Sequence, residues 1–287
     1  TFKVDQSYLS SWQARGIAVS GGFIYLTAVD TSSLLKSGTV IKMNSSDGKN
    51  WKDLGKRFLG LGHPMATTVQ GLAISGSKII AVDSASKAYL IDSDKGGVTT
   101  LSAAGGTDVA VGGASVFVAN GTVEKTDSGA ISRTPITGLS ATGGIGADNL
   151  GNIFSVSGTV IKKSDTTGQV QDVITSNLAS PIDVAVDNRN GDLYVLDTTM
   201  VKRFNASGQL LSSFPSSAGK PVSIAIDESG ILYIADQGET KKDSKVIKFS
   251  ASTDSLSSGS QRNSSSSSYG ASSTDSYSTY SNTRNTK

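Results

Sequence analysis

Cysteine is absent from the 287 residues, which excludes disulfides and thiolate metal sites. Histidine occurs once, at His63. A catalytic zinc takes about three protein ligands, usually several of them histidine, so a zinc enzyme is not expected. Ser-His-Asp chemistry would have to use His63, and Gly71-Leu72-Ala73-Ile74-Ser75-Gly76 reads as plain strand, not as a nucleophile elbow. No apolar run approaches the roughly 18 residues of a membrane span. Charge of one sign is missing too: 26 basic and 24 acidic residues leave a net +2. The lysines are scattered, and the pair Lys241-Lys242 reads as a solvated turn, so no nucleic-acid partner is expected. Proline is scarce at 5 residues and aromatics make up 6%.

Glycine is abundant, at 32 residues, which suits many tight turns between short strands. The chain repeats itself. In the last clear copy, Pro221-Val222-Ser223-Ile224-Ala225-Ile226-Asp227 leads through Glu228-Ser229-Gly230 to Ile231-Leu232-Tyr233-Ile234-Ala235-Asp236, and then to Lys245-Val246-Ile247-Lys248-Phe249. Alternation is period two within each strand, as in half-buried sheets. Anchors at Ile17, Leu72, Val109, Ile145, Val184 and Ile224 are spaced by 55, 37, 36, 39 and 40 residues. A unit near 40 residues with four short strands is a propeller blade. The small residue after each anchor (Ala18, Ala73, Ala110, Gly146, Ala185, Ala225) fits the crowded centre of such a ring.

The phrase P-x-x-[IV]-A-[IV]-D-x-x-G-x-[IL]-Y-[IV]-x-D resembles the NHL repeat. It extends as a pattern over residues 1–250, strongest in the fifth and sixth copies; the third and fourth lack the Tyr and the closing Asp. The resemblance implies an all-β, six-bladed β-propeller. It also implies relatives that are metal-using lyases and hydrolases with a central-channel site, and others that bind RNA through a basic face. Lacking the histidines and the basic face, the chain is expected to be no enzyme and to need no cofactor.

The ring is expected to close through the N-terminus. Tyr8-Leu9-Ser10-Ser11-Trp12 repeats the outer-strand phrase Leu210-Leu211-Ser212-Ser213-Phe214, and Gln6 parallels Gln209. The long first spacing marks an insertion, Lys49 to Gln70, with Trp51, Phe58 and His63. It reads either as a lid over one blade edge or as a binding loop using Trp51 and Phe58. Strand-end residues Asp30, Asp83, Asp197 and Asp236, with Asn120 and Ser157 at equivalent places, are weak candidates for calcium. Asp148, Asp187 and Asp227 recur after the first strands. Capping of turn amides explains both sets without a metal.

Residues 251–287 hold 15 Ser and 5 Thr among 37, with Tyr269, Tyr277 and Tyr280 between them and Leu256 as the one large aliphatic. Such a segment buries too little apolar area to fold alone, and reads as a low-complexity tail. Sequons at Asn44, Asn120, Asn205 and Asn263 are glycosylation candidates in an exported chain. The start at Thr1 suggests processing and export. The expected function is therefore that of an extracellular or cell-surface structural protein that partners with itself in a fibre or layer, its tail touching the next subunit, with glycans as further partners. The alternatives are a propeller that recognises a glycan or peptide, and a calcium-dependent hydrolase or lyase.

Overall fold

The computed structural model describes residues 12–30, 37–55, 65–85, 87–102, 105–126, 132–240 and 243–249. Each repeat folds into one small antiparallel sheet, and the six sheets form a six-bladed β-propeller. Blade one comprises β1 (Trp12–Ser20), β2 (Phe23–Asp30), β3 (Gly38–Asn44) and the short β4 (Lys52–Asp53). Blade two comprises β5 (Val69–Ser75), β6 (Lys78–Asp83), β7 (Lys87–Asp92) and β8 (Gly96–Ser102). Blade three holds β9 (Asp108–Gly112), β10 (Ser115–Thr126) and β11 (Arg133–Ala141). Blade four holds β12 (Ile145–Ala147), β13 (Ile153–Ser157), β14 (Val160–Ser164) and β15 (Val170–Ile174). Blade five is β16 (Pro181–Asp187), β17 (Asp192–Asp197), β18 (Met200–Phe204) and β19 (Leu210–Pro215). Blade six, among the described residues, is β20 (Pro221–Ile226), β21 (Leu232–Asp236) and β22 (Lys245–Phe249). The first half of β10 pairs with β9 and its second half with β11, the chain turning at Gly121, whose φ is 77°.

Alternation in each strand sends one face toward each neighbouring blade, so the core is divided into wedges between blades. Tyr25, Val29 and Val40 of blade one pack on Leu72, Ile79 and Tyr89 of blade two. Phe154, Val156 and Ile161 of blade four likewise meet Val184, Leu193 and Phe204 of blade five. The ring is closed by the same means: Tyr233, Ala235 and Val246 of blade six pack against Ile17, Ile24, Leu26 and Met43 of blade one. Polar links cross that seam as well. The Ala14 amide donates to Ser244 Oγ at 3.0 Å, and the Lys248 ammonium donates to the Ser45 carbonyl at 2.8 Å.

Residues 1–11, where the closing strand was expected, lie outside the described residues. Trp12 is described, and it corrects the expected end of that strand. It opens β1 opposite Asp30, two residues before Ala14, which takes the place that Pro221 has beside the bulge in blade six. Trp12 therefore belongs to the innermost strand of blade one. The insertion after β3 supplies β4, the outer strand of blade one, and returns through Met65, which bridges to Gly38 and is buried. Phe58, His63 and the tail with Tyr269, Tyr277, Tyr280 and Asn263 lie outside the described residues. Among those described, no helix is long and apolar enough to cross a membrane.

Candidate functional site

The innermost strands β1, β5, β9, β12, β16 and β20 line the axis, and equivalent residues stack there in layers. Ile17, Leu72, Val109, Ile145, Val184 and Ile224 form a buried apolar layer. Toward the ends of the strands the channel continues as a cavity of about 240 Å³, past the apolar side chains of Val19, Ile74 and Val186 and the polar ones of Ser20 and Asn188. Toward their starts lies a second cavity, of about 300 Å³, which shares Asp108, Asp183 and Ser223 with the first. One layer of this mouth is Gly16, Gly71, Asp108, Gly144, Asp183 and Ser223. The rim above it is Arg15, Gln70, Thr107, Gly143, Ile182 and Val222.

The rim has a structural origin. Ala14 pairs with Ala28 and Gly16 with Thr27, leaving Arg15 as an extra residue in β1. Ile182 and Val222 are left over in the same way in β16 and β20. A β-bulge re-aims the side chain it carries, and here the repeat places one at the same height in several blades. The rim is polar on blades one to three and small or apolar on blades four to six.

Below the rim, two carboxylates face each other across blade four. Asp183 is 5% exposed. Its Oδ1 accepts from the Val184 amide at 2.8 Å, and its Oδ2 accepts from Ser223 Oγ at 2.8 Å and from the Ile224 amide at 2.9 Å. Asp108 Oδ2 accepts from the Ile145 amide at 2.8 Å. Each aspartate thus reaches forward to the next blade. Between them stands Gly144. A Cβ on that glycine would lie 1.9 Å from Asp183 Oδ1 and 3.0 Å from Asp108 Oδ2, so the two oxygens surround one point in space. Only the missing side chain lets them meet there.

Two carboxylates so placed cannot both ionise freely. Burial pushes the Asp183 carboxyl up from 3.8 to about 6, against the pull of its hydrogen bonds. Burial, and then the charge of Asp183, hold Asp108 well above the ordinary carboxylate range. Both carboxyls are thereby brought closer to holding a proton near neutral pH than an ordinary aspartate is. Such a group can give or take a proton from a bound molecule. Arg15 adds a cation on the rim. Its Nε is buried without a hydrogen-bond partner, no ion pair joins it among the described residues, and burial lowers its affinity for the proton.

The residues singled out from sequence lie elsewhere. Asp83 accepts from the Ala85 and Lys87 amides and from Tyr89 Oη at 2.6 Å. Asp197 accepts from the Ala179 and Ser180 amides and pairs with Lys202 at 2.6 Å. Asp236 accepts from the Gly219, Lys220 and Gly238 amides. Asp30 closes β2. Asp148 and Asp227 cap the turns after β12 and β20, and Asp187 holds Arg189. Among the described residues no group of three or more His, Asp or Glu gathers as metal ligands. Trp51 is 38% exposed beside β4. Asn44 is half-buried at the end of β3, Asn120 is exposed at the β10 turn, and Asn205 Oδ1 accepts from the Ser207 and Gln209 amides. Asp108, Asp183 and Arg15 were not singled out. The available signal was a layer of Gly and Ser interrupted twice by Asp.

No family model matches the chain, and no curated protein matches its sequence. Solved structures do match. A gluconolactonase from Xanthomonas campestris superposes with a TM-score of 0.62 at 14% identity, over 83% of this chain and 86% of that one. Regucalcin from Agrobacterium tumefaciens, a calcium-binding protein, gives 0.61 at 11% identity over 86% and 92%. The nidogen/laminin complex gives 0.60 at 17% identity over 75% and 86%. The shared feature is the six-bladed propeller. At these identities the likeness shows the fold alone. It corrects one expectation, that the chain is no enzyme: this ring is one on which a gluconolactonase is built. That expectation rested on absent histidine and cysteine, and acid–base chemistry by buried carboxylates needs neither.

Proposed function

We propose that the propeller binds a small polar molecule in the mouth of its channel and acts on it through the proton shared by Asp108 and Asp183. The observation that carries this reading is the approach of the two carboxylate oxygens to one point in the channel lining, made possible by Gly144. The cavity above them has the volume of roughly ten waters, which suits a molecule of monosaccharide size. Hydrolysis or isomerisation of a polyhydroxylated substrate is chemistry such a pair can support, and the gluconolactonase shares its scaffold. A thermal-shift screen of sugars, lactones and polyols tests the location. Hits are expected to vanish in Gly144→Leu and to persist in Ile74→Ala. Hits that survive Gly144→Leu would place the site elsewhere.

A divalent cation is the second reading for the same oxygens, since two carboxylates around one point also suit calcium. Calorimetry with calcium at pH 7.5 separates the two. Heat lost in Asp108→Asn supports the cation, and no heat at millimolar calcium supports the proton-sharing pair.

Self-association outside the cell remains a separate proposal. It is supported by the Ser/Thr-rich composition of residues 251–287 and by blade five, where β19 is outermost and Leu210 and Leu211 are 37% and 48% exposed. Exposed apolar edge strands invite pairing with a second chain. Electron microscopy of the full chain and of a form lacking 251–287 tests it; identical assemblies from both would remove the tail from the account.

A further inference from the structure

Burying a cation without a counter-charge is costly, and structures avoid it unless something is meant to pair there. Arg15 is a half-buried cation of this kind, with one guanidinium nitrogen, Nε, out of reach of solvent. The bulge in β1 turns it toward the mouth, its Nε is buried and unpartnered, and neither Asp108 nor Asp183 forms an ion pair with it. Among the described residues lining the mouth, these three are the only charged ones. On the opposite side of the rim Gly143, Ile182 and Val222 carry no hydrogen-bonding side chain, and the hydroxyl of Thr142 beside them is engaged with the Val156 carbonyl and the Gly158 amide. A molecule in the cavity is therefore met by a guanidinium at one end and by a carboxyl pair at the other.

We infer that the ligand of this site is a hydroxy acid whose carboxylate pairs with Arg15 while its hydroxyl or carbonyl group faces Asp108 and Asp183. This inference rests on the site proposed above and names the class of ligand it takes. A planar guanidinium matches a carboxylate through two parallel hydrogen bonds. A phosphate dianion fits less well, because its second charge would face the carboxyl pair across a cavity of only about 300 Å³. The same geometry sets a pH dependence. As the pair takes up its proton, repulsion of the bound acid falls, so acids bind more tightly toward pH 5.5 and neutral molecules do not.

The test is calorimetry with three matched probes: glycerate against glycerol, galacturonate against galactose, and gluconate against glucitol. At least one acid is expected to bind about tenfold more tightly than its neutral counterpart, the scale of one charge-assisted pair. That ratio should rise severalfold between pH 8 and pH 5.5. It should fall to about one in Arg15→Ala and be partly restored in Arg15→Lys, with Arg15→Ala melting no lower than the parent. A ratio near one in the parent, a ratio unchanged in Arg15→Ala, or no binding by any acid overturns the inference. Failure of the site itself reads differently: acid and neutral probes would then both ignore Gly144→Leu, whereas loss of the Arg15 effect alone leaves the site standing.

Discussion

The two ends of the channel are built from the same six strands, yet they differ in kind. Past the buried layer of Ile17, Leu72 and Val109, an apolar side chain recurs in every blade (Val19, Ile74, Val111, Ala147, Val186 and Ile226), with Ser20 and Asn188 beside them. Before that layer, the repeat is broken in an ordered way. Glycine stands where blades one, two and four could crowd the axis, aspartate occurs on blades three and five, and an unpaired arginine caps blade one. Regularity marks the half that holds the ring together. Departures from the repeat mark the half to which the proposed site belongs, where charge is held at a cost in stability that packing alone does not explain.

This contrast can be broken from either side. The largest effect on stability is expected at the layer dividing the two halves. Leu72→Ala should cost about 2–4 kcal/mol through lost burial and the cavity left behind. Denaturant unfolding checks it, and ligand hits in the mouth should persist wherever the variant is folded.

The next effect has the opposite sign. Asp183 has its folded pKa raised from 3.8 to about 6. Between those values the folded protein holds a proton that the unfolded chain has released, so stability falls as pH rises through this window and stays lower above it. The shift corresponds to about 3 kcal/mol. Melting temperature should therefore rise on acidification from pH 7.5 to pH 5, before carboxylates held below their ordinary values, Asp187 and Asp197 among them, begin to protonate. Asp108→Asn removes one of the two charges. It should stabilise the fold at pH 7.5 by about 1–3 kcal/mol, flatten the pH dependence and abolish function at the mouth. A variant less stable than the parent at pH 7.5 would mean that the aspartate serves the fold.

The smallest effect is expected at the apolar end. Val19→Ala, at a half-buried position, should cost under about 1 kcal/mol and leave the pH dependence unchanged. A change in the titration of Asp183 in that variant would mean that the two halves are not independent.

Much of the ring was legible because its signal is periodic. The anchors Ile17 to Ile224, the small residues after them and the Tyr233-type core positions recur at fixed spacing, and packing between blades follows from that alternation. The outer strand of blade one was foreseen only loosely, since β4 is two residues long and its neighbours carry little pattern. The site was harder to read. Asp108 and Asp183 are 75 residues apart in sequence and meet only because ring closure places blades three and five on either side of Gly144. Arg15 looks like one more surface arginine until the bulge beside Gly16 turns it inward. The aspartates chosen from sequence recur in several blades, and recurrence there reflects turns that every blade needs.

The account stands on the raised carboxyls of Asp108 and Asp183. Carbon-detected NMR of the aspartate carboxyls from pH 3 to pH 9, with Asp108→Asn for assignment, measures them directly. The prediction is that the Asp183 carboxyl titrates at about 6. Aspartates that all titrate at or below the ordinary value of about 3.9 would contradict it.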